Sequence, residues 1–210
     1  MFALIDYNMG NIKSVANAFS AVGVEVQVTS KPEDLKQAKG IILPGVGAFA
    51  DGMENLRKLD ILETLHREVV EKGKPYLGIC LGLQFLASKG FEHKESDGLG
   101  WVKGSIKPLN PVGQGYKVPH IGWNSITLSG ENSEIYEELG ENPVFYFVHS
   151  YHLVTDEESN AVITAYCSHG EKVTASIQQD NIYGVQFHPE KSQGAGLKLI
   201  KNFVDFVQKN

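Results

Sequence analysis

The sequence is poor in cysteine, in long apolar runs and in clustered positive charge, and each shortage removes a class of protein. Two cysteines, Cys80 and Cys167, stand far apart in 210 residues, and neither belongs to a Cys-x-x-Cys pair. That spacing does not describe a disulfide scaffold, so both thiols read as reduced and the expected location is the cytoplasm. No apolar run approaches the roughly 20 residues that a membrane-spanning helix needs. The start, Met1-Phe2-Ala3-Leu4-Ile5-Asp6, lacks a basic segment and a cleavage site, and reads as an immediate strand rather than a signal peptide. With a formal net charge of -6 and no Lys/Arg cluster, a nucleic-acid surface is not expected. What remains is an ordinary balance, 42% hydrophobic and 21% charged, which suits a buried core in one domain over residues 1–210.

The first half alternates strand and helix signals. Residues 2–6 form a short apolar run. Residues 11–22 follow with Ile12, Val15, Ala16, Phe19 and Val22 on one helical face, and Gly23 is a stop. Val24, Val26 and Val28 alternate as in a strand, and residues 40–43 form another, ended by Pro44-Gly45. Helices are expected near 52–59 and 61–72, then a strand at 76–79 that runs into Cys80. Such alternation predicts a mostly parallel sheet flanked by helices. Beyond Gly98 the texture changes to strands near 101–109, 121–128, 144–148, 161–167, 173–178 and 182–187. Consecutive strands of this kind pair antiparallel and extend or flank the parallel core. An amphipathic helix at 195–208 closes the chain. No repeat, linker or cofactor-binding motif is present.

The most informative segment is Gly78-Ile79-Cys80-Leu81-Gly82-Leu83-Gln84, which follows a strand and is expected to open a helix. It is a nucleophile elbow with Cys in the place of Ser. A sharp strand-to-helix turn projects one side chain, and flanking glycines leave room for crowded backbone. The helix tip favours a thiolate, and the Leu81 N–H is placed to donate to an oxyanion. Cys167, inside an apolar run, has no such setting and reads as core.

A cysteine nucleophile needs a histidine, and that histidine needs a group to fix its tautomer. Of seven histidines, His188 stands out, because it ends the run Tyr183-Gly184-Val185-Gln186-Phe187 and precedes Pro189-Glu190. Extended backbone turns residues two apart to the same side, and Pro189 favours extended geometry at His188. Imidazole and Glu190 carboxylate then lie together at a strand's carboxyl end, where open α/β sheets place their sites. His149 and His152 are spaced to face opposite ways on a strand, without neighbouring ligands, so no metal site is expected. His66, His93 and His169 are expected to face solvent.

Elbow and triad together resemble the class I (triad) glutamine amidotransferases, in which Gly-x-Cys-x-Gly-x-Gln and a late His-Pro-Glu serve one reaction. Asp6-Tyr7-Asn8-Met9-Gly10-Asn11, Leu43-Pro44-Gly45-Val46-Gly47-Ala48-Phe49, Pro119-His120-Ile121-Gly122-Trp123-Asn124 and Phe147-Val148-His149-Ser150-Tyr151-His152 narrow the likeness. They are similar to the glutaminase subunits that feed a (βα)8-barrel cyclase in histidine biosynthesis. Asn8 stands where the family pattern has Gly, and tolerates the positive φ that Gly would supply. Leu83 replaces a common Met.

The resemblance implies a class I amidotransferase fold and a Cys80/His188/Glu190 glutaminase that works without cofactor or metal. Its oxyanion hole would combine Leu81 with the Val46–Gly47 segment. Gly45, Gln84, His149 and Ser150 would contact or shape the place of glutamine, and Asn11 and Trp123 would face the cyclase in a heterodimer. Glycines on both sides of Val46 would make a peptide flip cheap, so that the oxyanion donor could be withheld until the cyclase is docked and loaded. A class I glutaminase serving another synthase, a scaffold without turnover and a free-standing cysteine hydrolase remain as rival readings.

Overall fold

The computed structural model describes residues 1–129 and 133–209. Among these residues thirteen strands and six α-helices follow one another, and nine of the strands form a single sheet in the order β2-β1-β3-β4-β13-β12-β11-β8-β9. The first four are β1 (Phe2–Ile5), β2 (Val26–Thr29), β3 (Gly40–Gly45) and β4 (Tyr76–Cys80), all mutually parallel where they pair. Next to β4 lies β13 (Ile182–Val185), also parallel to it. Beyond it, β12 (Lys172–Gln179), β11 (Ile163–Ser168), β8 (His120–Leu128) and β9 (Val144–His149) continue antiparallel. The remaining strands, β5 (Ala87–Gly90), β6 (Ser96–Asp97), β7 (Val102–Pro108) and β10 (Tyr151–Thr155), form a second sheet in the order β10-β7-β5-β6.

Alternation along each strand feeds two cores. Phe2 and Leu4 face one side of the large sheet with Ile42, Leu77 and Ile79, where α1 (Ile12–Ala21) and α6 (Gln193–Lys209) pack. Ala3 and Ile5 face the other with Ile41, Leu43 and Tyr76, beneath α2 (Pro32–Gln37), α3 (Phe49–Lys58) and α4 (Leu62–His66). Strands buried on both faces between helices are what a parallel sheet requires. The expected fold class, a mostly parallel centre with antiparallel strands added by the second half, is the one observed.

Several elements depart from expectation. Val28 is 46% exposed while Thr29 is buried, because β2 is the edge strand and its outer face has no partner. Helix α2 lies outside the expected elements: its six residues bury only Leu35, too few for a periodic stripe, although Pro32 at its start and Glu33 and Asp34 in its first turn are start signals. The helix expected over 61–72 widens after α4 into a π-helical turn, Arg67–Glu71. The buried Glu68 carboxylate there is held by Lys72 at 2.8 Å and Lys74 at 3.0 Å. After the elbow, α5 (Leu81–Gln84) is a single turn, and the chain enters β5 at once. Strands β5, β6 and β10 are also additions to the expected set; β5 buries only its two end residues, so it carries no alternation. Among the described residues no helix is long and apolar enough to cross a membrane.

Candidate active site

Register brings the site together. Gly45 on β3 pairs with Cys80 on β4, and Val185 on β13 pairs with Ile79. The residue after Val185 therefore comes alongside Cys80, and His188 and Glu190 follow at the same carboxyl edge of the sheet. Cys80 has φ 53° and ψ -104°, a strained conformation for a side chain other than glycine and one that marks functional turns. The flanking glycines serve close approach. A Cβ on Gly78 would lie 2.5 Å from the Gly82 carbonyl oxygen, and one on Gly82 would lie 1.7 Å from that of Leu43. Neither has positive φ, so it is crowding that excludes a side chain.

His188 is buried and its Nδ1 lies 2.8 Å from Oε1 of Glu190, whose side chain is 1% exposed. Burial disfavours the imidazolium. The charge and closeness of the Cys80 sulfur, and then Glu190, outweigh that cost and raise His188 to about 10. Its Nε2 makes no hydrogen bond to another nitrogen or oxygen among the described residues. The backbone of this segment is clamped. His188 N–H donates to Tyr146 O at 2.8 Å, while the Ser192 hydroxyl donates to His188 O at 2.6 Å and accepts from Tyr146 N–H at 3.0 Å. Phe187 points the other way and stacks on Phe145 at 3.9 Å.

A cavity of ≈ 460 Å³ opens over the sulfur. Cys80, Leu81, Val46, Gly47, Gln84, His149 and Ser150 all line it, so the structure brings together most residues that the sequence singled out. Gly45 sits behind them, and a Cβ there would lie 2.0 Å from the Tyr7 hydroxyl. Two details bear on the expected oxyanion hole and helix tip. The Val46 N–H donates to Met9 O at 3.1 Å and is thus committed away from an oxyanion. Because α5 has only four residues, its aligned peptide dipoles lend the sulfur less than a full helix would.

Asn8 adopts φ 65°, as its substitution for glycine requires, and its N–H is 3.0 Å from Asp6 Oδ1. Asn11 and Trp123 are exposed, Trp123 by 49%, so Trp123 is not a core residue. The sequence reading missed Glu92, His93, Pro119 and Tyr151, which also line the cavity. His93 is exposed but borders that space, and Glu92 accepts from Phe49 N–H at 2.8 Å, capping α3. His169, expected in solvent, is half-buried and stacks on His120 at 4.0 Å.

The histidines of β8 and β9 form a neutral chain. Tyr151 O can only accept, so His149 Nδ1, 2.9 Å away, donates to it. His149 Nε2 is then an acceptor, and His120 Nδ1 donates to it at 3.0 Å. Asn124 completes the chain by donating to His120 Nε2 at 3.2 Å. Burial is the main cause that lowers His149 to about 3 and His120 to about 4. With both nitrogens engaged, His149 gives the cavity a wall. Among the described residues no three His, Cys, Asp or Glu side chains group as a metal site would need.

Comparison with known proteins bears on the whole chain. The family model for glutamine amidotransferase class-I matches residues 3–206. The chain belongs to this amidotransferase family. Within it the chain groups with proteins named imidazole glycerol phosphate synthase subunit HisH. That of Zymomonas mobilis is 47% identical over 208 residues, covering 97% of this chain and 95% of the relative. That of Aquifex aeolicus is 49% identical over 201 residues, covering 95% and 94%. That of Methanothermobacter thermautotrophicus is 45% identical and covers 99% and 100%. Among solved structures, PurLQS from Thermotoga maritima superposes with a TM-score of 0.73 at 17% identity, covering 98% of this chain and 97% of the other. The glutaminase domain of CTPS from Trypanosoma brucei gives 0.69 at 16%, covering 100% and 94%. These two likenesses show the amidotransferase fold. The amidotransferase is therefore an enzyme of the cysteine-nucleophile glutaminase type.

Proposed function

We propose that this amidotransferase is the glutaminase subunit of an imidazole glycerol phosphate synthase, one cytoplasmic domain over residues 1–210 that releases ammonia from glutamine for a (βα)8-barrel cyclase. The observation that carries the reading is a strained cysteine at the carboxyl edge of β4, beside a buried His–Glu pair, under a cavity of ≈ 460 Å³. Cys80 thiolate attacks the side-chain carboxamide carbon of glutamine, and the oxyanion is held by the Leu81 N–H and a donor from the Val46–Gly47 segment. His188 protonates the departing ammonia, then takes a proton from the water that attacks the thioester. Glu190 holds the imidazole's tautomer and supports its charge. Glu92 faces the same cavity and has the charge to meet the α-ammonium of glutamine.

Two features support a partner-dependent enzyme. Val46 N–H is occupied by Met9 O, and Gly47 has φ 104°, so the second oxyanion donor is supplied when this segment turns. Beside the cavity, Ile121 is 60% and Trp123 49% exposed, an apolar surface suited to the cyclase. Helix α1, which begins after the exposed Asn11, packs against the 189–191 turn near the same edge.

The test measures glutamate release by the full chain alone, with the barrel cyclase, and with cyclase plus its nucleotide ligand. Low basal turnover and a rise of about 100-fold or more with partner and ligand are expected, the scale of an oxyanion donor. Equal rates throughout remove the withheld-donor reading. A glutamine-mimicking diazoketone should label Cys80 and not the Cys80→Ala protein, and absence of labelling in the complex defeats the glutaminase assignment. Product formation only with a different synthase would assign the nitrogen elsewhere.

A further inference from the structure

Gln186 is fully buried, and its two amide ends meet different neighbours. Oε1 accepts from Gln84 Nε2 at 3.2 Å, and Nε2 lies 3.6 Å from Cys80 Sγ. Its backbone N–H is already bound to Ala175 O at 2.8 Å. The orientation of both amides follows from one carbonyl. Tyr151 O can only accept, so the group of Gln84 that reaches it at 2.9 Å is the amide nitrogen. The same nitrogen contacts Gln186 Oε1, which turns the Gln186 nitrogen, a donor, onto the sulfur. Register explains the placement: Gln186 directly follows β13, whose Val185 pairs with Ile79, and so comes beside Cys80, while the extended His188 and Glu190 in the 189–191 turn follow at the same edge.

From this geometry we infer that Gln186 is a further catalytic residue, whose amide N–H donates to the Cys80 sulfur and holds it as an aimed anion. A neutral thiol is a weak acceptor and a thiolate a strong one, so a buried amide committed to this sulfur favours the charged form. The need is local. The one-turn α5 offers a small dipole; His188 from the segment after β13 and Tyr7 from the loop after β1 couple to the sulfur, and Glu92, His93 and His149 line the cavity above it. In thioester breakdown the electron pair of the C–S bond returns to sulfur as the bond to carbon breaks, and the same N–H receives that charge.

The inference rests on Cys80 being the nucleophile, and the experiment reads the sulfur without glutamine turnover. Iodoacetamide alkylation of Cys80 in the full chain is followed from pH 5 to 10, with Cys80→Ala as the blank. Gln186→Glu keeps size and the contact from Gln84 but puts an anion against the sulfur. Its alkylation midpoint should move to higher pH, with the rate at pH 7 reduced about tenfold or more. Gln186→Leu should shift the midpoint less and in the same direction. Midpoints equal to wild type in folded Gln186→Glu protein overturn the inference, as does a loss of thermal stability with no shift in the midpoint. Should Gln186→Leu fail to fold, Gln186→Glu alone decides. If glutamine turnover fails while the midpoint shift stands, the fault lies with the substrate assignment and not with Gln186.

Discussion

In the parallel half of the molecule the site is shaped by backbone against backbone; in the antiparallel half it is held by side chains bonded to one another. Around Cys80, glycines at 78 and 82 let strand and turn approach to distances that exclude a methyl group. Around His188, Ser192 bridges the backbone of β9 and that of the segment after β13, and histidines on β8 and β9 bond in series. Backbone crowding is all-or-none, since a clash with a carbonyl has no soft side chain to yield. Hydrogen-bond networks are graded, because each bond contributes about 1 kcal/mol net and can be lost singly. Cys80 is thus fixed rigidly, while His188 is positioned by parts that can be adjusted.

Substitutions can break or sharpen that contrast. The largest effect belongs to Gly82→Ala, whose new methyl meets the Leu43 carbonyl oxygen. A loss on the order of 4 kcal/mol or more is expected in urea denaturation, with no measurable glutaminase. A normal unfolding midpoint would show that the elbow has slack. Ser192→Ala comes next: it leaves Tyr146 N–H and His188 O without their bridge, for a cost of about 1–3 kcal/mol. The chain should still fold, and partner-activated turnover should drop about tenfold as His188 loses its aim. Unchanged turnover would place the control of His188 in Glu190 alone.

Acid should produce a smaller, graded effect confined to the antiparallel half. His120 and His149 are held to about 4 and about 3 when folded, below the ordinary 6.5. Unfolded chains then bind protons that the native state refuses, so their contribution is complete above pH 6.5 and erodes as pH falls toward 4. His188 has the opposite sign: raised to about 10, it adds stability below 6.5 that is lost as pH rises through 10. Thermal midpoints between pH 6.5 and 5 should fall for the wild type and fall less steeply for His149→Gln. Parallel slopes would place the acid sensitivity elsewhere. The smallest effect is expected for Trp123→Ala, within about 0.5 kcal/mol of wild-type stability, since the ring is half exposed. Its readout is weaker association with the cyclase by titration calorimetry.

The same contrast explains what could be read from the chain. The elbow was legible because crowding dictates Gly78 and Gly82 at fixed offsets from Cys80; His188 with Glu190 was legible from a spacing of two, although the structure joins them through the Pro189–Lys191 turn and not along extended chain. Gln186 shared that spacing, but a glutamine between Val185 and Phe187 has no chemistry of its own until register sets it beside Cys80. Ser192, Glu92 and Tyr151 act through partners on other elements, among them Tyr146 on β9, Phe49 on α3 and Gln84 on α5, and no local pattern marks them. The one-turn α5 escapes a reading by pattern because Leu81, Leu83, Phe85 and Leu86 carry helical spacing; all are buried, yet the chain turns into β5 after Gln84. Apolar periodicity reports burial there and does not report where the backbone stops turning.

Strand β13 slots between β4 and β12 although the contacts it brings to Cys80 come from 106 residues further along the chain. During synthesis the cysteine is made early and its imidazole late, so a nascent or truncated polypeptide lacks the means to cleave an amide. In the proposed mechanism the molecule becomes reactive only when the final strand docks. On that reading, topology ties the start of ammonia production to completion of the fold.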